Sequence, residues 1–167
     1  KSITVNSNAL ARPLDYYVRL KEAGLSYISI SVDSFDPDIA EACRAGTKVD
    51  KLKERLTGII QLYAPQPIAV TTVVSKRNLH DVENTIDTLA AIGNVYIELQ
   101  SLIVYDPEKG SEGNSPVSLE PADLVYLEQL RHKTLAKYPH LKFVNTDDTG
   151  AAAGSELRCT RPFRSPY

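Results

Sequence analysis

Hydroxyl and carboxylate side chains alternate with aliphatic ones over residues 27–33. The aliphatic residues take every second position, and the positions between them carry Ser29, Ser31 and Asp33. This period-two pattern predicts a β-strand with one polar face. Because a buried polar group is costly unless it is hydrogen-bonded, we expect a polar ligand to meet the carboxyl end of this strand. A second interpretation stays open, in which the hydroxyls bond to the backbone and Asp33 caps the following helix.

Other predicted strands carry polar side chains that could meet the same ligand. Asn6 ends a short strand, and its amide can donate or accept a hydrogen bond. On the next strand Thr71 and Thr72 compete for the inner face, and we assign Thr72 to the site. Glu98 and Gln100 share one side of a further strand, where they could contact a substrate or nucleotide. They could equally form a hydrogen-bonded pair that stabilises the sheet.

Helical patterns separate these strands. Strands are predicted over residues 3–6, 27–34, 68–74 and 95–102, with a short further one over 141–144, and helical spacing fills the intervals. Such alternation predicts an α/β fold with parallel strands and outer helices. We expect a portion of a (β/α) barrel, a partial TIM-like barrel, over 1–144 and an irregular tail over 145–167. An open doubly wound sheet is the competing architecture, but no glycine-rich phosphate loop follows a strand.

Four or five strands are too few to close a barrel. We therefore expect the strand over 3–6 to have an exposed edge, or an edge covered by a partner chain or a swapped element. Because the carboxyl ends of barrel strands form the binding mouth, we expect Asn6, Ser31, Asp33 and one of the two threonines to share one concavity. Glu98 or Gln100 should line its side.

Composition sets wide bounds on function. The 167 residues carry a net charge of −2, which argues against a generic nucleic-acid surface. No apolar run is long enough for a membrane span. Two cysteines are too few for a disulfide scaffold, so we expect a cytoplasmic protein. There is no methionine, and the first residue is Lys1, so we expect the chain to be part of a longer protein.

Four motifs, in order, resemble those of radical S-adenosylmethionine (radical SAM) enzymes. Residues 5–7 (Val-Asn-Ser) resemble the family's "Thr-Asn-Gly" element, with serine in place of glycine. Residues 31–34 (Ser-Val-Asp-Ser) resemble its "Ser-x-Asp" strand end, and residues 72–78 resemble the next strand with its exit asparagine. Residues 159–163 (Cys-Thr-Arg-Pro-Phe) resemble the start of an auxiliary-cluster region of SPASM or twitch type.

The resemblance implies an oxidoreductase that binds S-adenosylmethionine and a [4Fe-4S] cluster and generates a 5′-deoxyadenosyl radical. It assigns cofactor contacts to Ser31, Asp33 and Asn6, and we add Thr72 and Gln100 from the next strands as further candidate contacts. It also implies that Cys159 ligates a cluster, and that a flavodoxin or ferredoxin donates electrons. The family's Cys-x-x-x-Cys-x-x-Cys and Gly-Gly-Glu elements are absent from these residues, and we expect them upstream of Lys1. The substrate, whether a peptide, a protein or a small molecule, stays unassigned.

Two other functions stay open. The chain could belong to an ordinary barrel enzyme that acts on a phosphorylated or carboxylated metabolite, or it could be a non-catalytic binding module. Cys43 lies in a predicted helix without a second thiolate nearby, and we interpret it as an ordinary buried residue. The three histidines, His80, His132 and His140, should be solvated. The polar loop over 106–118 is expected to determine specificity.

Overall fold

The protein is represented by a computed structural model that describes residues 3–106, 111–112 and 115–144. Within these ranges, none of the helices has both the length and the apolar character needed to cross a membrane. The elements follow the predicted alternation of strands and helices. They are β1 (Thr4–Ser7), α1 (Leu14–Glu22), β2 (Tyr27–Ser31), α2 (Pro37–Cys43), α3 (Val49–Tyr63), β3 (Ile68–Val74), α4 (Val82–Ile92), β4 (Val95–Ser101), β5 (Tyr105–Asp106), β6 (Ser111–Glu112), α5 (Pro121–Lys137) and β7 (Lys142–Phe143).

The main sheet has five parallel strands in the order β1-β2-β3-β4-β7. Neighbours in the sheet follow chain order, and successive right-handed crossovers in such a sheet place all connecting helices on the same side. A doubly wound sheet would need a reversal of strand order, which these five strands do not show. The prediction of an α/β fold that forms a portion of a barrel is confirmed. β1 is an edge strand, as expected.

The two faces of the sheet differ in burial. Along β3 every second residue from Ile68 to Val74 is buried, whereas Ala69, Thr71 and Val73 are half-exposed. The helices cover the first set, which we call the covered face. We call the other side the open face. It is formed by Tyr27, Ser29, Ser31, Ala69, Thr71, Val73, Tyr96, Glu98 and Gln100, together with Asn6 in register with Ser29.

Aliphatic packing between the covered face and the helices forms the hydrophobic core. β-branched residues suit the strands, and leucine and isoleucine at helical spacing suit the helices that cover them. The side chains at its centre are less than 2% exposed and include Ile30, Val70 and Ile97 from the sheet and Leu56, Ile59, Ile86 and Leu89 from the helices.

Local signals explain how the segment after β2 folds. The Asp36 carboxylate accepts hydrogen bonds from the backbone N–H groups of Asp38 and Ile39, at 2.9 and 3.0 Å, and Pro37 occupies the first helical position. Asp36 is therefore the cap of α2. The alternative in which Asp33 caps this helix is wrong. Gly46 follows the helix with a φ of +82°, a conformation that glycine adopts without strain.

The fully buried side chain of Asn78 ties the ends of β2 and β3 together. Its Nδ2 donates to the carbonyl oxygens of Asp33 and Val73, at 2.9 and 3.0 Å. Its Oδ1 accepts from the backbone N–H of Ser75 at 2.8 Å. These three contacts satisfy backbone groups of Asp33 and Ser75, just beyond β2 and β3, and of Val73, near the end of β3.

Replacing Asn78 with leucine, which has a similar volume, should therefore destabilise the fold. One buried and one partly buried carbonyl oxygen and one buried N–H would lose their partner, so we expect the free energy of unfolding to fall by ~3 kcal/mol or more in urea denaturation. Asn84→Ala is the matched control. Asn84 is exposed and donates one hydrogen bond to Asp81, so its loss should cost less than ~1 kcal/mol. Equal effects of the two substitutions would contradict the role given to Asn78.

Candidate functional site

Polar side chains on the open face lie in layers set by the strand register. One layer contains Asn6 and Ser29, which are paired across β1 and β2. The next layer toward the carboxyl ends contains Ser31, Thr71 and Glu98. The parallel register thus brings polar residues from strands distant in sequence onto one surface.

A chain of hydrogen bonds crosses this surface. Thr71 Oγ1 donates to Glu98 Oε2 at 2.7 Å and lies 2.8 Å from the Ser29 hydroxyl. Gln100 Nε2 donates to Glu98 Oε1 at 2.8 Å. The interpretation of Glu98 and Gln100 as a hydrogen-bonded pair is therefore correct in its geometry. The pair is not buried, because Glu98 is half-exposed and Gln100 is exposed, so a ligand could still reach it.

Asp33 and Arg44 form an ion pair beyond the end of β2. Nε and Nη2 of Arg44 both lie 3.0 Å from Asp33 Oδ2, while Asp33 Oδ1 accepts a long, 3.4 Å hydrogen bond from the Val73 N–H. The carboxylate side chain is only 7% exposed, whereas that of the guanidinium is 39% exposed. The arginine thus neutralises a buried charge and still presents N–H donors to solvent.

This ion pair borders two depressions at the carboxyl ends of the strands. A narrow cleft is lined by Ser31, Asp33 and Arg44 together with Asn8 from the loop after β1. A wider groove of about 260 Å³ lies on the other side of the pair and is lined by Asp33, Cys43, Arg44, Val73, Ser75, Arg77 and Leu102. We call this end of the sheet, where the cleft and the groove lie, the carboxyl-end mouth. Ser31 and Asp33 are neighbours there, as predicted from their spacing.

The remaining predicted contacts fall in different places. Asn6 is exposed and lies one layer below Ser31, and Gln100 lies one layer above it, two strands away. Thr72 does not join them. It is 1% exposed on the covered face, and its hydroxyl donates to the carbonyl oxygen of Val32 at 2.7 Å. Thr71, the competing threonine, occupies the open face. The assignment of Thr72 was therefore wrong, because it placed the wrong face of this strand toward the site.

Cys43 is half-buried beside the wider groove rather than fully buried. Burial, followed by the nearby charge of Asp33, raises the pKa of its thiol, so the thiol stays protonated at neutral pH. No group of three or more histidine, cysteine or acidic side chains within the described ranges could hold a metal ion. Cys159 and the tail over 145–167 lie outside those ranges, as does part of the loop over 106–118. The three histidines are exposed, as expected.

A different pocket lies at the opposite, amino-terminal end of the sheet. It measures about 170 Å³, and its lining includes Tyr27, Tyr63 and Tyr96. Tyr63 is 5% exposed, and its hydroxyl has no partner among the described residues. The described residues that line this pocket are largely aromatic and include no charged side chain, whereas the carboxyl-end mouth combines a carboxylate, a guanidinium and hydroxyls. In barrel enzymes the carboxyl ends of the strands carry the active site, which favours the mouth.

Arg44 is the mouth residue that the sequence analysis missed. The sequence did contain a signal for Arg44. The Ser-x-Asp strand end is followed by a capped helix of two turns, and such a short helix returns the chain to the same strand end. The residue just after α2 then lies next to Asp33, where a buried carboxylate requires a cation.

No protein-family model matches this sequence, and no curated protein matches it. Among solved structures, the fold is similar to that of HemN, the coproporphyrinogen III oxidase of Escherichia coli, which is a radical SAM enzyme. The TM-score is 0.62 at 12% identity, and the match covers 82% of this chain and 32% of HemN. This chain therefore has a fold like part of that of a radical SAM enzyme and spans about a third of HemN's length.

Proposed function

We propose that this chain forms part of the core of a radical SAM enzyme and binds S-adenosylmethionine at the carboxyl ends of β2 and β3. The observation that carries the proposal is the Asp33–Arg44 pair beside Ser31, at the mouth of a sheet whose fold resembles part of HemN. When bound and reduced, the cofactor supplies a radical that abstracts a hydrogen atom from the substrate.

The mouth residues complement the polar groups of S-adenosylmethionine. Asp33 Oδ1 makes only one long hydrogen bond within the described structure and can accept from the ribose hydroxyls. The exposed N–H groups of Arg44 suit the methionine carboxylate, because charge-assisted hydrogen bonds are stronger than neutral ones. Ser31 can donate or accept between them, and Asn6 and Gln100 are proposed as outer contacts. Thr71 replaces Thr72 in this set.

The described residues do not fit the cluster that the family requires. Iron–sulfur clusters are held by several thiolates, and Cys43 is the one cysteine within the described ranges. We derive no step through the cluster. The proposal assigns its ligands to segments outside those ranges, with Cys159 as a ligand of an auxiliary cluster, and leaves the electron donor to a flavodoxin or ferredoxin.

A second candidate function has its own observation. Arg44 and Arg77 line the same groove, and Arg77 donates one N–H to the Ala42 carbonyl oxygen and is otherwise exposed. Two guanidinium groups against one carboxylate suit a phosphate or carboxylate, as an ordinary barrel enzyme would need. Such an enzyme would bind inorganic phosphate. It would show no preference for a sulfonium nucleotide such as S-adenosylmethionine over other nucleotides.

Calorimetric titration of the chain with S-adenosylmethionine tests the proposal. Asp33→Asn and Arg44→Met should each weaken binding at least about tenfold, because each removes a charge-assisted hydrogen bond of ~1.5–3 kcal/mol. Asp15→Asn and Arg19→Met are matched controls, since these residues form an exposed pair on α1 and should leave affinity unchanged. Melting curves of each variant verify that the fold is retained.

The same titration with 5′-methylthioadenosine separates the two roles. This analogue keeps the ribose but lacks the amino-acid carboxylate. Asp33→Asn should therefore weaken the binding of both ligands, whereas Arg44→Met, which also removes the partner of Asp33, should weaken the binding of S-adenosylmethionine more than that of the analogue. If Arg44→Met weakened the binding of both ligands by the same factor, the assignment of Arg44 to the carboxylate would be contradicted. Failure of S-adenosylmethionine to bind, together with saturable binding of phosphate, would favour the ordinary barrel enzyme.

The cysteines provide a second test in the full-length protein that contains this chain. After anaerobic incubation with iron and sulfide, Cys159→Ala should reduce the iron bound per chain while one cluster remains. Cys43→Ala is the matched control and should leave the iron content unchanged, because no group of metal-binding side chains among the described residues includes Cys43. Unchanged iron in the Cys159→Ala protein would contradict the auxiliary-cluster assignment.

A further inference from the structure

Glu98 is a charged residue on the open face that the proposed cofactor contacts do not use. It lies in the same layer as Ser31, with Thr71 between the two in register. It is therefore displaced sideways by two strands from the Asp33–Arg44 pair, toward the β4 side of the open face. A ligand that occupies the mouth above β2 and β3 leaves this carboxylate available to a second molecule.

The hydrogen bonds around Glu98 are all donated toward its carboxylate. The hydroxyl of Thr71 has one proton, and it donates that proton to Glu98 Oε2. The contact between Thr71 and Ser29 must then be a donation from the Ser29 hydroxyl. Gln100 donates to Oε1 from the other side. Two carboxylate oxygens are thus each fixed by one donor, and the carboxylate is oriented before any ligand arrives.

The charge of Glu98 is not balanced by a neighbour within the described structure. None of the ion pairs between described side chains includes it. Lys142 projects from the adjacent strand, but its Nζ lies over the Tyr96 ring, 6.0 Å from the centroid. A carboxylate has about four acceptor positions. Thr71 and Gln100 use two of them, so Glu98 can accept further hydrogen bonds.

We propose that Glu98 forms a subsite for a cationic group of the substrate, a protonated amine or a guanidinium. Such a group supplies the N–H donors that the remaining acceptor positions need and neutralises the half-exposed charge. Thr71 and Gln100 are positioning residues, which hold the carboxylate and do not bind the cation themselves. Only the identification of the cationic molecule as the enzyme's substrate rests on the proposed function. The cation preference of Glu98 stands without it.

Nuclear magnetic resonance of the isotope-labelled chain tests this subsite with a matched pair of probes. Butylguanidinium carries the cation, and butylurea is its neutral analogue of nearly the same shape. The side-chain NH₂ of Gln100 is the local reporter, because it donates to Glu98. We expect butylguanidinium to shift this signal at concentrations at least about tenfold lower than butylurea requires, a preference of ~1.4 kcal/mol.

Variants connect the preference to the residue. Glu98→Gln keeps the shape and should abolish the preference, whereas Glu54→Gln removes the same charge from an exposed position on α3 and should preserve it. Thr71→Val should reduce the preference without abolishing it. Equal responses to both probes, or a preference that survives in Glu98→Gln, would overturn the proposal.

S-adenosylmethionine is added in a final arm. Gln100 is also a proposed outer contact of the cofactor, so saturating S-adenosylmethionine should shift its signal by itself, and the arm compares the concentration dependence of the butylguanidinium response with and without the cofactor. If that dependence is unchanged, the subsite is separate from the cofactor, as proposed. If S-adenosylmethionine displaces butylguanidinium, Glu98 belongs to the cofactor site and the assignment to substrate is wrong. Absence of any response of the chain to S-adenosylmethionine would contradict the proposed function and leave the cation subsite in place.

Discussion

The side-chain amide of Asn78 joins the backbone of Asp33, just beyond β2, to that of Val73, near the end of β3, and the polar groups at this end of the sheet depend on it. Parallel strands lose their ladder partners where they diverge, and Asn78 replaces those partners for the carbonyl oxygens of Asp33 and Val73. Asp33 is thereby held with its backbone anchored and its carboxylate against Arg44. The buried charge then has a cation in a fixed place, and the cation has a half-exposed surface for a ligand.

A second constraint comes from the strand order. Because all connecting helices pack on one face, the aliphatic residues of each strand must point to that face, and the alternate positions are released from core packing. Those positions can therefore carry Ser29, Ser31, Thr71 and Glu98 without destabilising the core. The polar surface is a direct consequence of a sheet covered on one side, and it combines one neutralised carboxylate, Asp33, with one that has no cation among the described residues.

The strands and helices were predictable because their side-chain periods are regular. The strand boundaries were predicted to within one residue, except that the strand predicted over 27–34 ends at Ser31. Ser31 and Asp33 were placed together correctly. The choice of Thr72 over Thr71 was wrong, because both are β-branched hydroxyl residues and the face each occupies depends on which neighbours pack against the helices. Arg44 was missed because its partner is determined by the length of α2 and by the cap at Asp36, which are tertiary consequences of local signals. The hydrogen bonds of Asn78 could not be predicted from residue types, because they depend on where two strands end in space.

The measurement that tests this account most directly is a map of amide chemical-shift changes on addition of S-adenosylmethionine to the labelled chain. The account predicts that the changes concentrate at the carboxyl-end mouth, around Ser31, Asp33 and Arg44. Changes that concentrate instead around Tyr27, Tyr63 and Tyr96, at the amino-terminal pocket, would contradict it.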